Sequence, residues 1–503
     1  MGSIVLTAVL GSAGLVSAQP DDTFPAPPPP IATAPEPIAA PEPIAAEPIA
    51  PEPIAPAPTA AEPTAPDLVD PAVAPSGDLG FGFGSYGRVG VGTDLRGSTP
   101  EPVNVVKTGS RIVEASYTEL DLYYRMQSDR GVKVRTVTTL AAAGDPFHYT
   151  GKFDADLALR NLYAEAEHGA INLWVGSRLY RGDDIYLLDY WPLDDLNTIG
   201  GGIGYRDAHG GVALHVGANR LLDPFQYQER AVADPEFGAV DIVELDRQRM
   251  IASAKTDYRV WGDGVGPSVK AKLYLEMQSL PEGSRTRQDE SIETLPSDFG
   301  YTVGAQLGAW GFTHGRSHAN LFVRWSQGLT AFDELQLPEG FDASRRTFPG
   351  ASELLFALSG NYEFPGGGML VGGYSRRFVD ADPNQDDRDD GWEYIIDVRP
   401  HLSLIDDVEL GVDLSYQARF PRGLSPTTLT ALDPAVLQLA PMLIYSPFGT
   451  GSYARPQLRL VYRAAHLNEG ARDLYPLDDR RRGRSWVHFL GLQAEWWFNS
   501  TYR

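Results

Sequence analysis

Between Arg181 and Leu196 the chain reads RGDDIYLLDYWPLDDL, setting Asp183, Asp184, Asp189, Asp194 and Asp195 among Tyr186, Tyr190 and Trp191. Three chemistries suit such a mixture. Neighbouring carboxylates such as Asp183 and Asp184 could work as general acid and base on a glycosidic bond. Acids in an exposed loop could bind a divalent cation, or simply be solvated. Lodged in a water-filled passage, the same rings and charges would narrow it. The first chemistry needs a second carboxylate across a credible cleft, and the sequence supplies none. A segment this rich in both bulky rings and charges is neither a simple turn nor a solvated tail. We read it as a loop folded into the lumen of a membrane-spanning barrel, where its block of acids and aromatics, Tyr186, Asp189, Tyr190 and Trp191, narrows a water-filled pore.

Such a loop must hang from strands. Immediately before it, Ile171, Leu173 and Val175 alternate with Asn172, Trp174 and Gly176, the period-two pattern of a sheet wetted on one face. Similar runs recur to the end of the chain, at Phe81–Val91, Ser116–Met126, Gly211–Asn219, Ser268–Met277, Leu321–Ser326, Met369–Arg376, Glu393–Pro400, Glu409–Ala418, Pro456–Arg463 and Trp486–Phe498. In the first, Phe81, Phe83, Val89 and Val91 oppose Tyr86 and Arg88; in the second, Leu120, Leu122 and Tyr124 oppose Tyr117, Glu119, Asp121 and Tyr123. A soluble sandwich would also alternate, but its solvated face would rarely be so rich in rings. Helical periodicity is hard to find beyond Asp78. About 425 residues without a composition break suit an all-β, antiparallel transmembrane barrel of roughly 16–18 strands.

Composition agrees with this reading and excludes others. The 503 residues include no cysteine, so disulfides and thiolate metal sites are unavailable. A formal charge of −24 argues against nucleic acid, which calls for a basic stripe. Beyond the N-terminus no apolar run reaches the roughly 18–20 residues of a membrane-spanning helix, whereas barrel strands give only weak hydropathy signals. The nine histidines are scattered, and the sequence holds no H-E-x-x-H, G-x-S-x-G or P-loop, so neither an enzyme nor a cofactor is expected. The glycines from Gly80 to Gly92 alternate along a strand with no helix behind them, unlike a dinucleotide loop.

Residues 1–18 read as a secretory signal, with an apolar stretch from Ile4 to Val16 and small residues to Ala18. Residues 19–77 form a Pro/Ala/Glu-rich tract in which Pro-Glu-Pro-Ile-Ala recurs at Pro35, Pro41 and Pro51. Such spacing favours extended polyproline II over helix or sheet. It is expected to be a disordered periplasmic spacer, either contacting the cell wall or having no partner. Residues 78–503 form the barrel domain. Its last strand directs Trp496 and Phe498 to one side and Trp497 to the other, and Asn499–Arg503 extend beyond the terminal aromatic that outer-membrane barrels commonly carry.

Over most of residues 78–498 the chain resembles the maltoporin family of carbohydrate-selective outer-membrane porins. The matching blocks run from Phe83 to Gly92, then Arg111, Ser116 to Leu122, and Leu159 to Asn161. They continue with Trp174 to Trp191, Val398 to Pro400, Ala454 to Arg459 and Gly491 to Phe498. The resemblance implies an 18-stranded barrel, usually a homotrimer, with an inward third loop and passive passage of maltose-like sugars or maltodextrins along an aromatic slide. A pyranose has apolar C–H faces and a hydroxyl rim, so flat rings can serve the faces and charges the rim. Tyr86, Tyr117 and Trp497 fall on slide positions, and the region of Trp392 and Tyr394 is expected to supply another. Arg88, Arg111, Glu119 and Arg160 fall on polar-track positions. Asp184 and Asp189 match family acids, Trp191 takes the constriction aromatic, and Arg181 lies one residue from a family arginine. The slide aromatic expected in the strand from Tyr301 is replaced by Val303, so the slide is either interrupted there or uses Tyr301 instead. Phe147, Tyr149 and Phe153 are candidates for the aromatic donated to a neighbouring subunit.

The plainer alternatives are that Tyr86 and Tyr117 belong to an interfacial girdle, that the three arginines only brace the wall, and that the Arg480–Arg484 stretch is an exposed loop without function. At the level of the whole protein, the alternatives are a general or ion-selective porin and a plugged barrel that ties the outer membrane to the cell wall.

Overall fold

The structure, a computed structural model, describes residues 79–146, 151, 156–219, 227–234, 238–245, 247–264, 266–286, 289–331, 347–383, 390–424, 429–431 and 433–501. The expected signal, the proline-rich tract and the aromatic candidates Phe147, Tyr149 and Phe153 lie outside the described residues.

Strands β1 (Gly80–Thr93), β2 (Tyr117–Gln127), β3 (Lys133–Ala143), β4 (Asp156–His168), β5 (Ile171–Arg181), β6 (Asp195–Arg206) and β7 (Gly210–Asn219) pair in sequence order. A hairpin of β8 (Tyr227–Asp234) and β9 (Gly238–Leu245) intervenes before the wall resumes with β10 (Arg249–Trp261) and β11 (Ser268–Leu280). A second hairpin, β12 (Gly283–Thr286) and β13 (Ile292–Leu295), precedes β14 (Asp298–Gly311) and β15 (Ser317–Gly328). Then come β16 (Ser352–Phe364), β17 (Gly367–Val379), β18 (Gly391–Ile405), β19 (Val408–Pro421), β20 (Ala435–Tyr445), β21 (Gln457–Leu467) and β22 (Trp486–Phe498). Pairing of β22 with β1 closes an 18-stranded antiparallel barrel. Closure removes the open sheet edge that a lipid environment would not tolerate. No helix among the described residues is long and apolar enough to cross a membrane.

The two faces of the wall sort as alternation demands. Phe81, Phe83, Val89 and Val91 of β1 and Leu120 and Tyr124 of β2 are exposed on the outside, with Tyr86, Glu119, Asp121 and Tyr123 buried inside. In β22, Leu490, Leu492 and Phe498 face out while Phe489 and Glu495 face in. An outer surface of Leu, Val, Phe and Tyr is the face a hydrocarbon solvent selects.

The strands are joined by short turns at one end, such as 169–170, 365–366 and 406–407, and by longer segments at the other. The inside is filled from both ends. The segment between β1 and β2 crosses the lumen: the backbone N–H of Val105 donates to Gln417, that of Lys107 to Glu393 and that of Thr108 to the Tyr374 hydroxyl. From the third loop, Ile185, Leu188, Tyr190 and Leu193 share an apolar cluster with Val103, Val105 and Val106 of that segment and with Phe322, Leu355, Tyr374 and Ile395 of the wall. Two inward-facing glycines make room for it. A Cβ on Gly372 would sit 2.6 Å from Ile185, and one on Gly304 would sit 2.3 Å from Leu193. From the opposite end, the turn before β21 folds inward, its Ser452 hydroxyl 3.1 Å from the His401 ring.

The residues after Phe498 also turn in. The backbone N–H of Thr501 donates to Asp121 at 2.7 Å. The arginines of 480–484 are not idle: Arg481 pairs with Glu101 at 2.7 Å, Arg484 with Asp94 at 3.7 Å, and the Arg480 guanidinium donates to Ser98. They fasten the outer end of the lumen-crossing segment.

Candidate functional site

The site lies at the seam where the chain's two ends meet. In the β1–β2 register Tyr86 stands opposite Glu119 and Arg88 opposite Tyr117; in the β1–β22 register Tyr86 faces Trp497 and Arg88 faces Glu495. Six inward-facing side chains from three strands are therefore neighbours by backbone pairing alone. The inward loop brings the rest. A 3₁₀ turn at Tyr186–Leu188 ends on Asp189, which adopts the left-handed backbone that Asp tolerates better than most residues, φ 51°. The geometry aims Asp189 at Arg88, 2.9 Å away. Trp191 then packs with Tyr86, Tyr117 and Trp497 in one aromatic cluster.

Charge threads through these rings. Arg88 also pairs with Glu114 at 3.3 Å, and Arg111 pairs with Glu114 at 2.9 Å. The Tyr86 hydroxyl accepts from Arg111 at 3.0 Å. Arg160 lies 3.4 Å from Glu119, to which the Tyr117 hydroxyl donates. Guanidiniums lie over the rings: Arg181 is 3.9 Å from the Trp191 centroid, Arg455 is 4.1 Å from that of Trp497, and Arg88 is 5.4 Å from that of Tyr117. The centre of the network is Glu495, which receives Arg111 at 3.1 Å, Arg455 at 2.9 Å, Arg459, and the Tyr186 hydroxyl at 2.6 Å. Its carboxylate is 4% exposed, so these contacts are made without water to compete.

The loop is pinned at its base as well. Asp183 pairs with Lys272 at 2.6 Å and Asp194 with Lys255 at 2.7 Å, while the Pro192 carbonyl accepts from Arg324 at 2.8 Å. Burial works against the charged form of Asp183, yet Lys272 and the amide of Gln306 hold it below the usual carboxylate range. Burial likewise opposes ionisation of Asp189, but Arg111, Arg88 and Arg181 outweigh it and keep the carboxyl low.

The structure thus brings together Tyr86, Tyr117, Trp497, Arg88, Arg111, Glu119, Arg160, Arg181, Asp189 and Trp191. Asp184 is half-buried on the same loop, and Tyr190 turns from the seam to pack on Tyr374 across the lumen, ring centroids 5.5 Å apart. Four expectations are corrected. Trp392 and Tyr394 share the outer face of β18 with Ile396, where Tyr394 joins Tyr416 and Phe420 in an aromatic belt. The inner face there carries the buried Glu393, Ile395, Asp397, Arg399 and His401. Val303 and Tyr301 occupy outer-face positions of β14, between the buried Gly300, Thr302, Gly304 and Gln306, so neither reaches the lumen. In each case the side-chain period of two fixes the face, and a one-residue shift reverses it.

Sequence reasoning assigned no role to Glu495, Arg455 or Arg459, although all three lie inside the blocks that resemble maltoporins. It also missed a second inner cluster: Arg178 of β5 sits 4.8 Å from the Tyr163 and Tyr180 ring centroids and 5.1 Å from that of Trp174. The alternation of Trp174, Arg178 and Tyr180 was the available signal. No group of His, Cys, Asp and Glu suited to a metal ion occurs among the described residues.

A lumen lined with paired charges, narrowed by an inward loop and walled by a closed 18-stranded sheet, is the architecture of a porin. The profile of the family described as LamB porin matches residues 81–498. The chain belongs to the LamB porin family. It is an outer-membrane porin, and family and fold alike are those of a channel. No curated protein sequence matches it. Among solved structures, it is similar to the outer-membrane protein OpdK of Pseudomonas aeruginosa, with 11% identity over 84% of this chain and 98% of that one, TM-score 0.41. It is also similar to the outer-membrane channel DcaP of Acinetobacter baumannii, with 10% identity over 83% and 98%, TM-score 0.43. A third is the trimer form of OmpT from Vibrio cholerae, with 12% identity over 84% and 100%, TM-score 0.33.

Proposed function

We propose that this LamB-family porin gives passive passage to maltose-like sugars or maltodextrins through the constriction at the seam. The observation that carries the reading is the meeting of Tyr86, Tyr117, Trp191 and Trp497 at the narrowing, with Arg88, Arg160, Glu119 and Asp189 beside them. Tyr117 and Trp497, only partly buried, offer ring surface to the C–H face of a pyranose, with Tyr86 and Trp191 packed behind them, and the flanking donors and acceptors can serve its hydroxyl rim. Several weak contacts in series let a solute move on, as conduction requires. The substrate gradient alone drives flow. We place the protein as a homotrimer, contacting lipid through its outer face. Because the strand number is even, both ends of the barrel domain lie on the short-turn side; on this reading that side is the periplasm. There the Pro-Glu-Pro-Ile-Ala tract, behind a cleaved signal, would meet the cell wall.

Single-channel recording in a planar bilayer tests this. Maltodextrin should block the current in a concentration-dependent way, and Tyr117→Ala should weaken the block. Conduction without block would support a general porin instead. The apolar cluster shared by the two inward segments favours a second reading, a plugged barrel, which predicts no conductance at all.

A further inference from the structure

The outer side of the wall is almost free of charge. Alternation sends the acids, lysines and arginines of the described wall strands inward, with two exceptions. Arg181 and Asp195 meet each other at 3.7 Å, where the inward loop leaves the wall and rejoins it. The other exception is Arg377 of β17, which stands exposed between the buried Arg376 and Phe378. A charge at the middle of a lipid-facing wall is strongly disfavoured, and one at its rim is tolerated. Arg377 lies two residues from the long-loop end of its strand, so it is a rim residue.

Its neighbours give that rim a chemistry. Arg377 pairs in register with Trp392 of β18, and Trp392 with Phe420 of β19. Arg422, just past β19, continues the parity of Tyr416 and Phe420; its backbone N–H donates to the Asp390 carbonyl at 2.9 Å and the residue is exposed. Neither Arg377 nor Arg422 has a side-chain hydrogen bond or ion pair among the described residues. Between them lie the exposed Trp392 and Phe420, with Tyr394 stacked on Phe420 at 6.0 Å. Such rings mark the level of lipid headgroups. Toward the short turns the surface becomes apolar, through Phe356, Ile396 and Leu414. Two unpaired guanidiniums are therefore held at headgroup depth, where phosphate is the counter-charge that fits them. Two strand spacings separate their columns, about 10 Å. That separation suits a headgroup with a phosphate at each end better than one with a single phosphate.

We propose that Arg377, Trp392, Phe420 and Arg422 form a docking site for a doubly phosphorylated glycolipid of the outer leaflet, with the chemistry of lipid A. The guanidiniums take the two phosphates, the rings lie under the sugars, and the acyl chains run down over Phe356, Ile396 and Leu414. The inference rests on the long-loop end of the barrel facing outward, and not on which solute the channel passes.

The test is binding of fluorescently labelled lipid A to the full chain, folded in detergent. Unlabelled lipid A, its dephosphorylated form, phosphatidylglycerol and inorganic phosphate serve as competitors. Lipid A should compete best, and its advantage should shrink as salt rises. Both arginines are exposed and unpaired, so Arg377→Gln and Arg422→Gln should fold. Each should weaken lipid A binding by up to about fivefold, the upper end for one exposed ion pair, and leave maltodextrin block as in wild type. Dephosphorylated lipid A or phosphatidylglycerol competing as well as lipid A would overturn the proposal, as would displacement by phosphate alone. So would variants that bind lipid A like wild type, including variants that dissociate the oligomer, which would assign the patch to a contact between copies of the chain. Absence of maltodextrin block with selective lipid A binding retained would overturn the seam reading alone.

Discussion

Replacing Glu495 by Gln removes one negative charge and changes almost nothing in volume. The carboxylate accepts from Arg111, Arg455, Arg459, Tyr186 and, at 3.3 Å, Tyr86. A Gln side chain offers one acceptor oxygen in place of two and turns an N–H₂ toward a ring of donors. At best, part of the network keeps its partner: Arg111 retains Glu114, whereas the guanidiniums of Arg455 and Arg459, 2% and 8% exposed, lose the carboxylate they share. Breaking a buried pair in this way costs about 3–5 kcal/mol. Because Arg111 belongs to the lumen-crossing segment and Tyr186 to the inward loop, the loss should loosen both. Folded outer-membrane barrels resist SDS until heated, so the temperature at which the folded band disappears, together with denaturant titration in detergent, reads the effect. Glu495→Gln should lower both and weaken maltodextrin block. Arg111→Gln in the same background should cost less than it does in wild type, with a coupling of about 0.5–3 kcal/mol. Wild-type stability in Glu495→Gln, or strictly additive effects in the double variant, would refute the view that this carboxylate organises the constriction.

Other outcomes follow from the same geometry. Tyr117→Ala should raise the half-blocking maltodextrin concentration about two- to twelvefold, taking ring contact at about 0.5–1.5 kcal/mol; Trp392→Ala, on the outer face, should leave it unchanged in the same recording. Asp183→Asn with Asp194→Asn removes the anchors to Lys272 and Lys255 and should increase conductance and its noise while reducing sugar block. Asp183 and Asp189 are carboxyls held below their ordinary value of 3.8, so the stability they contribute is present above it and is lost as pH falls through their lowered values. The contribution of these two carboxyls to conductance and block should therefore be constant from about pH 8 to about pH 5 and be lost only in strong acid. Gly372→Val, which drives side-chain atoms into Ile185, should destabilise the inward loop by about 1–3 kcal/mol, seen as faster proteolysis within residues 182–194.

How much of this was legible beforehand depends on where each residue's information resides. Facing is local: polar residues that alternate with Leu, Val and Phe mark the inner side of β1, β2 and β22, so Tyr86, Arg88, Tyr117, Glu119 and Trp497 could be placed from a few neighbours. The same rule was available for β18. Glu393, Asp397, Arg399 and His401 share one parity, which puts Trp392 and Tyr394 on the other. The family pattern pulled toward an aromatic there, and local charge should have outweighed it. In β14 the inner parity is Gly300, Thr302, Gly304 and Gln306, too small and sparse to announce itself against Tyr301 and Val303.

What no local pattern could give is the filling of the lumen. Val103, Val105 and Val106 are three apolar residues in a polar segment, a weak signal for a chain that crosses the barrel and meets residues some 300 positions away, as Val105 meets Gln417. Their partners are assembled only by closure, which brings β1 beside β22 and sets Glu495 among arginines from two separate parts of the chain. The order of dependence is therefore fixed by physics. Alternation builds the wall, the wall's closure creates the seam, and the seam's charges hold the loops that narrow the passage. A sequence reading that stops at alternation finds the barrel and half of its constriction. The remainder is visible only once the ends are joined, and it is there that Glu495→Gln should do more damage than any single substitution in the loops it anchors.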